Sequence, residues 1–225
     1  MSTRTLHRTF SICDLLEQHM TDPARRKGER TKFKLMKSTA ELLGQQAFKD
    51  IRNLDICENA GVAAGVMNSH FKDKRELLVA LLRFFMEQLK QEFNRHNDEY
   101  GEEEDVYIRL FDTIYYIMCC VQTNLGLWRL LLKEFDEHPT LAELYHEGVD
   151  YWSGYLSKQI PENHCGKKVT KKDKKLMAML LGGMLDDALR FYFFSESVIS
   201  DYPVEKLAET IATLRYSAIF GRFPD

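Results

Sequence analysis

Glycine and proline are scarce, 12 and 5 in 225 residues. That excludes collagen-like order and low-complexity disorder, and it favours long helices. Strand-type alternation is absent throughout. Apolar runs such as Ile117 to Val121 fall far short of the roughly 20 residues that span a bilayer. The opening MSTRTLHRTFSICDLL has no apolar block before a small-residue cleavage site, so no secretory signal is expected. Five cysteines (Cys13, Cys57, Cys119, Cys120 and Cys165) form no CxxC pair and are odd in number. Reduced thiols in a cytoplasmic protein are the expectation. No zinc-type spacing, Gly-rich phosphate loop or nucleophile elbow occurs. His138, His146 and His164 with Glu134, Asp136 and Glu143 could serve acid–base work, but no metal or catalytic motif joins them. No enzyme, cofactor or metal site is expected.

What is present is a globular balance of 44% apolar and 29% charged residues. The net charge of -3 is unevenly spread: residues 1–75 sum to +5 and residues 76–225 to -8. Either one end meets a polyanion or the solvated surface is merely uneven.

Along the chain, Phe10, Ile12, Leu15 and Leu16 line a short helix that Thr21-Asp22-Pro23 ends. The basic run Arg25-Arg26-Lys27 follows. Residues 1–29 read as an ordered approach to the core or as an arm that touches nucleic acid. From Arg30, Phe33, Met36, Ala40, Leu43 and Ala47 recur at helical spacing. Asn53 is a candidate N-cap for a short helix that buries Leu54, Ile56, Cys57 and Ala60, with Gly61 at its left-handed end. Residues 65–71 read as a second short helix, with Val62 and Phe71 as apolar pegs. Two short helices about a Gly-led turn make a helix-turn-helix, whose outward face carries Ala64, Val66, Asn68 and Ser69. The alternative is a plain three-helix bundle.

Asp73, with Glu76 three residues on, starts a helix of over 20 residues that runs to about Arg95. Further helices are expected at 106–123, 128–135, 141–160 and 173–195, and from Pro203 to Ile219. The acids at 102–105 precede the first of these, and residues 161–171 read as a loop.

The stretch LDICENAGVAAGVMNSHFKDKRELLVALL, residues 54–82, resembles the DNA-binding domain of the tetracycline-repressor (TetR-type) family. Asp55-Ile56, Ala60-Gly61-Val62, Gly65, His70-Phe71, Lys74 and Leu77-Leu78 match its pattern in order and spacing. Cys57 stands where Ala is usual, Ala63 where Ser or Thr caps the recognition helix, Asn68 where Tyr touches phosphate, and Ala47 replaces a common Gly. The resemblance implies an all-α protein. Residues 1–29 would be an N-terminal extension or basic arm, 30–75 the helix-turn-helix domain, and 76–225 a helical effector-binding and dimerisation domain. It also implies a ligand-responsive homodimer, most often a repressor, on a pseudopalindromic double-stranded DNA. A relative that kept the fold as an adaptor and lost DNA reading is the alternative.

On that resemblance Arg52, Asn53, Ala64, Val66, Asn68, Ser69, His70 and Lys74 are the DNA-contact candidates, and Met67 faces the core. Tyr115, Cys119, Trp128, Phe135, Tyr151, Trp152, Tyr155, Met184 and Phe191 are candidates to line a pocket for a hydrophobic or aromatic effector. Each is also readable as plain core. Leu181, Leu185, Leu189, Leu207 and Leu214 are the expected dimer contacts, a monomer core being the alternative, and Gly182-Gly183 either allow close helix approach or merely relieve crowding. Asp186 or Asp187 faces the pocket near Arg190, pairs across the dimer, or is solvated.

Overall fold

The protein is described by a computed structural model over residues 9–98, 105–133, 139–164, 167–221 and 223. Among these, nine α-helices follow in order: α1 (Ile12–Thr21), α2 (Lys27–Leu43), α3 (Asn53–Asn59), α4 (Lys74–Asp98), α5 (Val106–Thr123), α6 (Leu125–Lys133), α7 (Pro139–Gln159), α8 (Lys171–Phe194) and α9 (Val204–Phe220). The all-α expectation holds. One small departure is an antiparallel pair, β1 (Asn163–His164) with β2 (Lys167–Lys168), in the stretch read as a loop. Glu134, Phe135, Asp136, His138, Cys165 and the acids at 102–104 lie outside the described residues.

Two compact units form. One holds residues 10–92 and 123–141, the other 93–122 and 142–221. These units cut the chain differently from the sequence segments 1–29, 30–75 and 76–225. Residues 10–29 and α6 join the first unit, and the division falls within α4.

In the first unit the N-terminal extension is folded from Phe10 onward. Ser11 caps α1 by accepting the Asp14 amide at 3.3 Å, and Ile12 and Leu16 are buried. Asn124, only 6% exposed, holds this segment with both ends of its amide. Its Oδ1 accepts the Ile12 N–H at 2.9 Å, and its Nδ2 donates to the Phe10 carbonyl at 2.7 Å. The Phe10 ring stacks on Phe85, which meets Trp128 edge-on. α2 buries more than its apolar stripe. Leu35, Ser38 and Thr39 are also inside, the hydroxyls satisfied by the Ile56 and Leu35 carbonyls at 2.8 and 2.9 Å. Gly126 of α6 lies against the end of α2, where a Cβ would meet the Leu43 carbonyl at 2.5 Å. Only glycine permits that approach.

In the second unit Leu156, Ile160, Ala178 and Ile219 form a core cluster, with Met177, Leu181 and Phe220 packed against it. Thr170 caps α8 in a box with Asp173: its hydroxyl accepts the Asp173 amide, and the Asp173 carboxylate accepts the Thr170 N–H. Pro203 stands just before α9, where its missing N–H costs nothing.

Asn124→Ala leaves a buried amide and a buried carbonyl of the extension unpaired. It is expected to lower unfolding free energy by about 3 kcal/mol. Urea denaturation of the full chain checks this, and a loss under about 0.5 kcal/mol would mean the clamp holds nothing.

Candidate nucleic-acid interface

The helix-turn-helix is built in the first unit. α3 opens one residue earlier than read: Arg52 is the cap and Asn53 the first helical residue. The Asp55 carboxylate provides the capping bond by accepting the Arg52 N–H at 2.8 Å. It also takes the Arg52 guanidinium, and these bonds hold it below the usual carboxylate range. Leu54 is 45% exposed, so α3 buries only Ile56 and Cys57 fully. Gly61 takes the left-handed turn at φ 63°, as expected.

The next segment, Ala64–Ser69, is a 3-10 helix rather than an α-helix. Ala63 has no side chain to cap it, and six residues cannot settle a wider helix unaided. The Val66 N–H bonds the Ala63 carbonyl at 2.9 Å, and the Ser69 hydroxyl donates to the Val66 carbonyl at 2.7 Å. Cys57 contributes from α3, its thiol 3.6 Å from the Ala64 carbonyl. Met67 is fully buried and Phe71 nearly so. Their burial turns Ala64, Asn68 and Ser69 to solvent, with Val66 half-buried. The Asn68 amide has no hydrogen-bond partner among the described residues, so both its donor and its acceptor face outward. Ser69 has spent its proton locally and keeps its acceptor. His70 is half-buried, with its ring beside Gly28 of α2.

Lys74 is placed differently from the other contact candidates. Its ammonium turns inward and donates to the carbonyls of Phe48, Lys49 and Ile51 at 3.2, 3.3 and 2.7 Å, over the Phe48 ring. Three N–H donors meet three acceptors, which leaves none for a phosphate. Lys74 instead ties the start of α4 to the turn before α3. Its neighbours Lys72 and Arg75 are exposed, beside the Asp73 cap that receives the Arg75 and Glu76 amides at 2.9 Å. Sequence reasoning passed over both, although their flanking of an N-cap residue was the available signal. Arg26, Lys27, Lys32 and Lys34 are exposed on the same unit. Their charge is of the kind that binds a polyanion without sequence preference.

The effector candidates do not assemble as one set. Trp128 packs in the first unit, and its indole N–H lacks an acceptor among the described residues. Tyr151, Trp152 and Tyr155 cluster in the second unit. Phe93 meets Trp152 and Tyr155 edge-on, Tyr151 donates to Asn94 at 2.7 Å, and Tyr155 donates to Asn97 at 2.6 Å. Tyr115 is buried and donates to Glu205 at 3.1 Å, with Cys119 beside it. Met184 is half-buried on α8. Asp186 points inward to Tyr145, while Asp187 pairs outward with Arg190 at 3.2 Å.

The expected dimer contacts also divide. Leu185 and Leu189 are buried inside the protomer at 6% and 1% exposure, so they have almost no area left to offer a partner. Leu181 and Leu207 are half-buried, and Leu214 is exposed. The exposed apolar side of α8 is instead Leu176, Met179, Leu180 and Phe191, with Gly183 between them. The stripe chosen from the sequence was the inner of two apolar faces of one helix.

Residues 35–81 match the family described as bacterial regulatory proteins, tetR family. No curated protein sequence matches the chain. Solved structures match over most of its length. The fatty acid degradation regulator FadR of Bacillus halodurans is 16% identical with a TM-score of 0.66, over 85% of this chain and 96% of that one. The transcriptional regulator FadR of Bacillus subtilis, in complex with stearoyl-CoA, is 18% identical at 0.65, over 83% and 98%. A tetR-family transcriptional regulator of Streptomyces coelicolor is 12% identical at 0.69, over 84% and 80%. The fold is thus that of helix-turn-helix transcriptional regulators. Residues 35–81 thus carry a tetR-family domain, within a chain that shares the fold of those solved structures.

The placement of the lysines separates two substitutions. Lys74→Met is expected to lower stability by about 1–3 kcal/mol while leaving the salt dependence of duplex binding unchanged. Lys72→Ala is expected to leave stability within about 0.5 kcal/mol and, if Lys72 meets a phosphate, to reduce that salt slope by about one. Urea unfolding and salt titrations of a labelled duplex report the two, and a reduced slope for Lys74→Met would contradict the inward assignment.

Proposed function

We propose that the protein is a tetR-type regulator that acts as a homodimeric, effector-responsive repressor on a pseudopalindromic duplex. The observation that carries the reading is the outward face Ala64, Asn68 and Ser69, held by a buried Met67 and Phe71 within the matched domain. Small residues allow close entry to a major groove. Asn68 is the sole amide on that face and is the proposed base or phosphate contact, with Ala64 or Val66 against a thymine methyl. Arg52 and Asn53 reach phosphate from the start of α3. An Arg52 contact competes with its own Asp55 pair, so it weighs less than the exposed Lys72 and Arg75. His70 packs more than it contacts.

Dimerisation is assigned to Leu176, Met179, Leu180, Gly183 and Phe191 of α8 with Leu214 of α9. Exposed large apolar side chains at helical spacing are the material of a two-fold interface. Two heads one duplex turn apart, about 34 Å, then read the two half-sites. The effector is assigned to the second unit, where the described aromatic and sulfur-bearing candidates other than Trp128 lie. The FadR of Bacillus subtilis holds stearoyl-CoA, which supports an apolar effector here. No helix among the described residues is long and apolar enough to cross a membrane, which agrees with a place in the cytoplasm beside DNA.

Selection of bound duplexes from a random pool tests the reading. A palindromic winner is expected, and Asn68→Ala is expected to weaken it by about 1–3 kcal/mol with sequence discrimination lost. If nothing is enriched, the chain is an adaptor that kept the fold. For the dimer, Leu180→Asp is expected to give a folded monomer by sedimentation and circular dichroism, whereas Leu185→Asp unfolds the protomer. A folded dimer in the Leu180 variant would refute the assigned face.

A further inference from the structure

The second unit buries one charge without an adequate partner. Arg215 of α9 is 7% exposed. One Nη donates to the Leu181 carbonyl of α8 at 2.8 Å, and Nε finds no acceptor among the described residues. The acid that acts on it is Asp186 of α8, whose carboxylate is occupied by the Tyr145 hydroxyl of α7 at 2.9 Å. Arg190 also acts on Asp186, but it is paired outward with Asp187. Burial pulls the Arg215 guanidinium down to about 10 and pushes the Asp186 carboxyl up. No ion pair joins Arg215 to Asp186, so the guanidinium has no bonded counter-ion among the described residues.

A buried guanidinium with one bond from five donors is expensive, and an apolar residue of similar length would serve the fold better. A buried polar group left unpaired calls for an explanation, and a bound ligand is one. Its bonded neighbour Leu181 is, with Met177 and Phe220, one of the partly buried apolar residues packed on the core cluster of Leu156, Ile160, Ala178 and Ile219.

We propose that Arg215, with Tyr145 and Asp186, receives the carboxylate of an apolar organic acid as the effector. This rests on the effector-responsive reading above and names the chemistry of its ligand. The carboxylate accepts from Nε–H and a free Nη–H in the planar fork that a guanidinium presents. The Tyr145 hydroxyl turns from Asp186 to the incoming anion. Binding exchanges an unpaired buried charge for a paired one, so the fold gains most where it is now weakest. Specificity against neutral analogues follows, because an alcohol or amide of the same shape leaves the guanidinium uncompensated.

Thermal unfolding of the full chain tests this with decanoate, decanol, 4-phenylbutyrate and 4-phenylbutyramide, at equal concentrations below micelle formation. At least one acid is expected to raise Tm by several degrees and its neutral partner is not; the two acids separate an aliphatic from an aromatic body. Arg215→Met is expected to fold, to unfold at or above the wild-type Tm, and to lose the acid-dependent shift. No shift with either acid, an equal shift with the neutral partner, or a shift retained in Arg215→Met overturns the proposal. Should Arg215→Met fail to fold, Tyr145→Phe decides: acid affinity reduced at least threefold supports the site, and unchanged affinity overturns it. Duplex binding measured beside these keeps the two readings apart. Acids that bind through Arg215 without altering duplex affinity sink effector control and spare the site, whereas intact duplex binding with no acid effect sinks the site alone.

Discussion

A helix of six residues has no stability of its own, and the DNA-reading account depends on such a segment standing outward in a fixed orientation. Two buried side chains fix it. Met67 is sealed in the core and Phe71 almost so, and between them they set which faces of residues 64–70 reach solvent. The backbone follows this anchoring rather than the reverse. Without a capping hydroxyl at Ala63 the segment winds tightly, and what steadies its first turn is the Cys57 thiol on the Ala64 carbonyl. Two departures from the usual family pattern, Cys57 for Ala and Ala63 for Ser or Thr, thus meet at one place. The first supplies a weak bond close to where the second removes one. A thiol is a poor donor, so the exchange is partial, and the 3-10 winding is its visible cost.

The surrounding scaffold works by giving backbone groups at chain junctions a side-chain partner. Asn124 takes one donor and one acceptor of the N-terminal segment, Lys74 takes three carbonyls before α3, and Asp73 and Asp55 take amides at the starts of α4 and α3. Each sits where a helix starts or ends and regular bonding fails. The first unit is therefore rigid at its joints as well as in its apolar core, a requirement for holding a reading face within hydrogen-bond distance of a base edge.

Helix placement was legible from periodicity and punctuation. α5 matches its expected span, Gly61 takes the left-handed turn, and Met67 faces inward. What stayed hidden were choices among faces and partners. α8 is apolar on two sides, and a sequence cannot say which of Leu180 and Leu185 is covered by its own chain. A lysine at a helix start reads the same whether it reaches out to phosphate or, as Lys74 does, back to three carbonyls 23 to 26 residues earlier. In sequence Asn124 reads as no more than a break between two helices, because its partners, Phe10 and Ile12, lie more than a hundred residues away. Arg215 carries no signal in sequence, because one arginine in an apolar helix looks like a surface charge until its burial is known.

Unpaired buried nitrogens occur in both units, on Arg25, Arg30 and Trp128 in the first and on Arg190 and Arg215 in the second. Arg215 differs from the others in being a charged side chain that is itself buried, near the bonded pair of Tyr145 and Asp186. A core selected for stability alone would have replaced Arg215 with a methionine or leucine, since the desolvation of an unpaired guanidinium outweighs one carbonyl bond. Its presence between α8 and α9 therefore argues that the interior of this unit is selected for something it contacts, and the apolar residues beside it describe the rest of that contact. An anionic head on an apolar body is the simplest molecule that satisfies both halves.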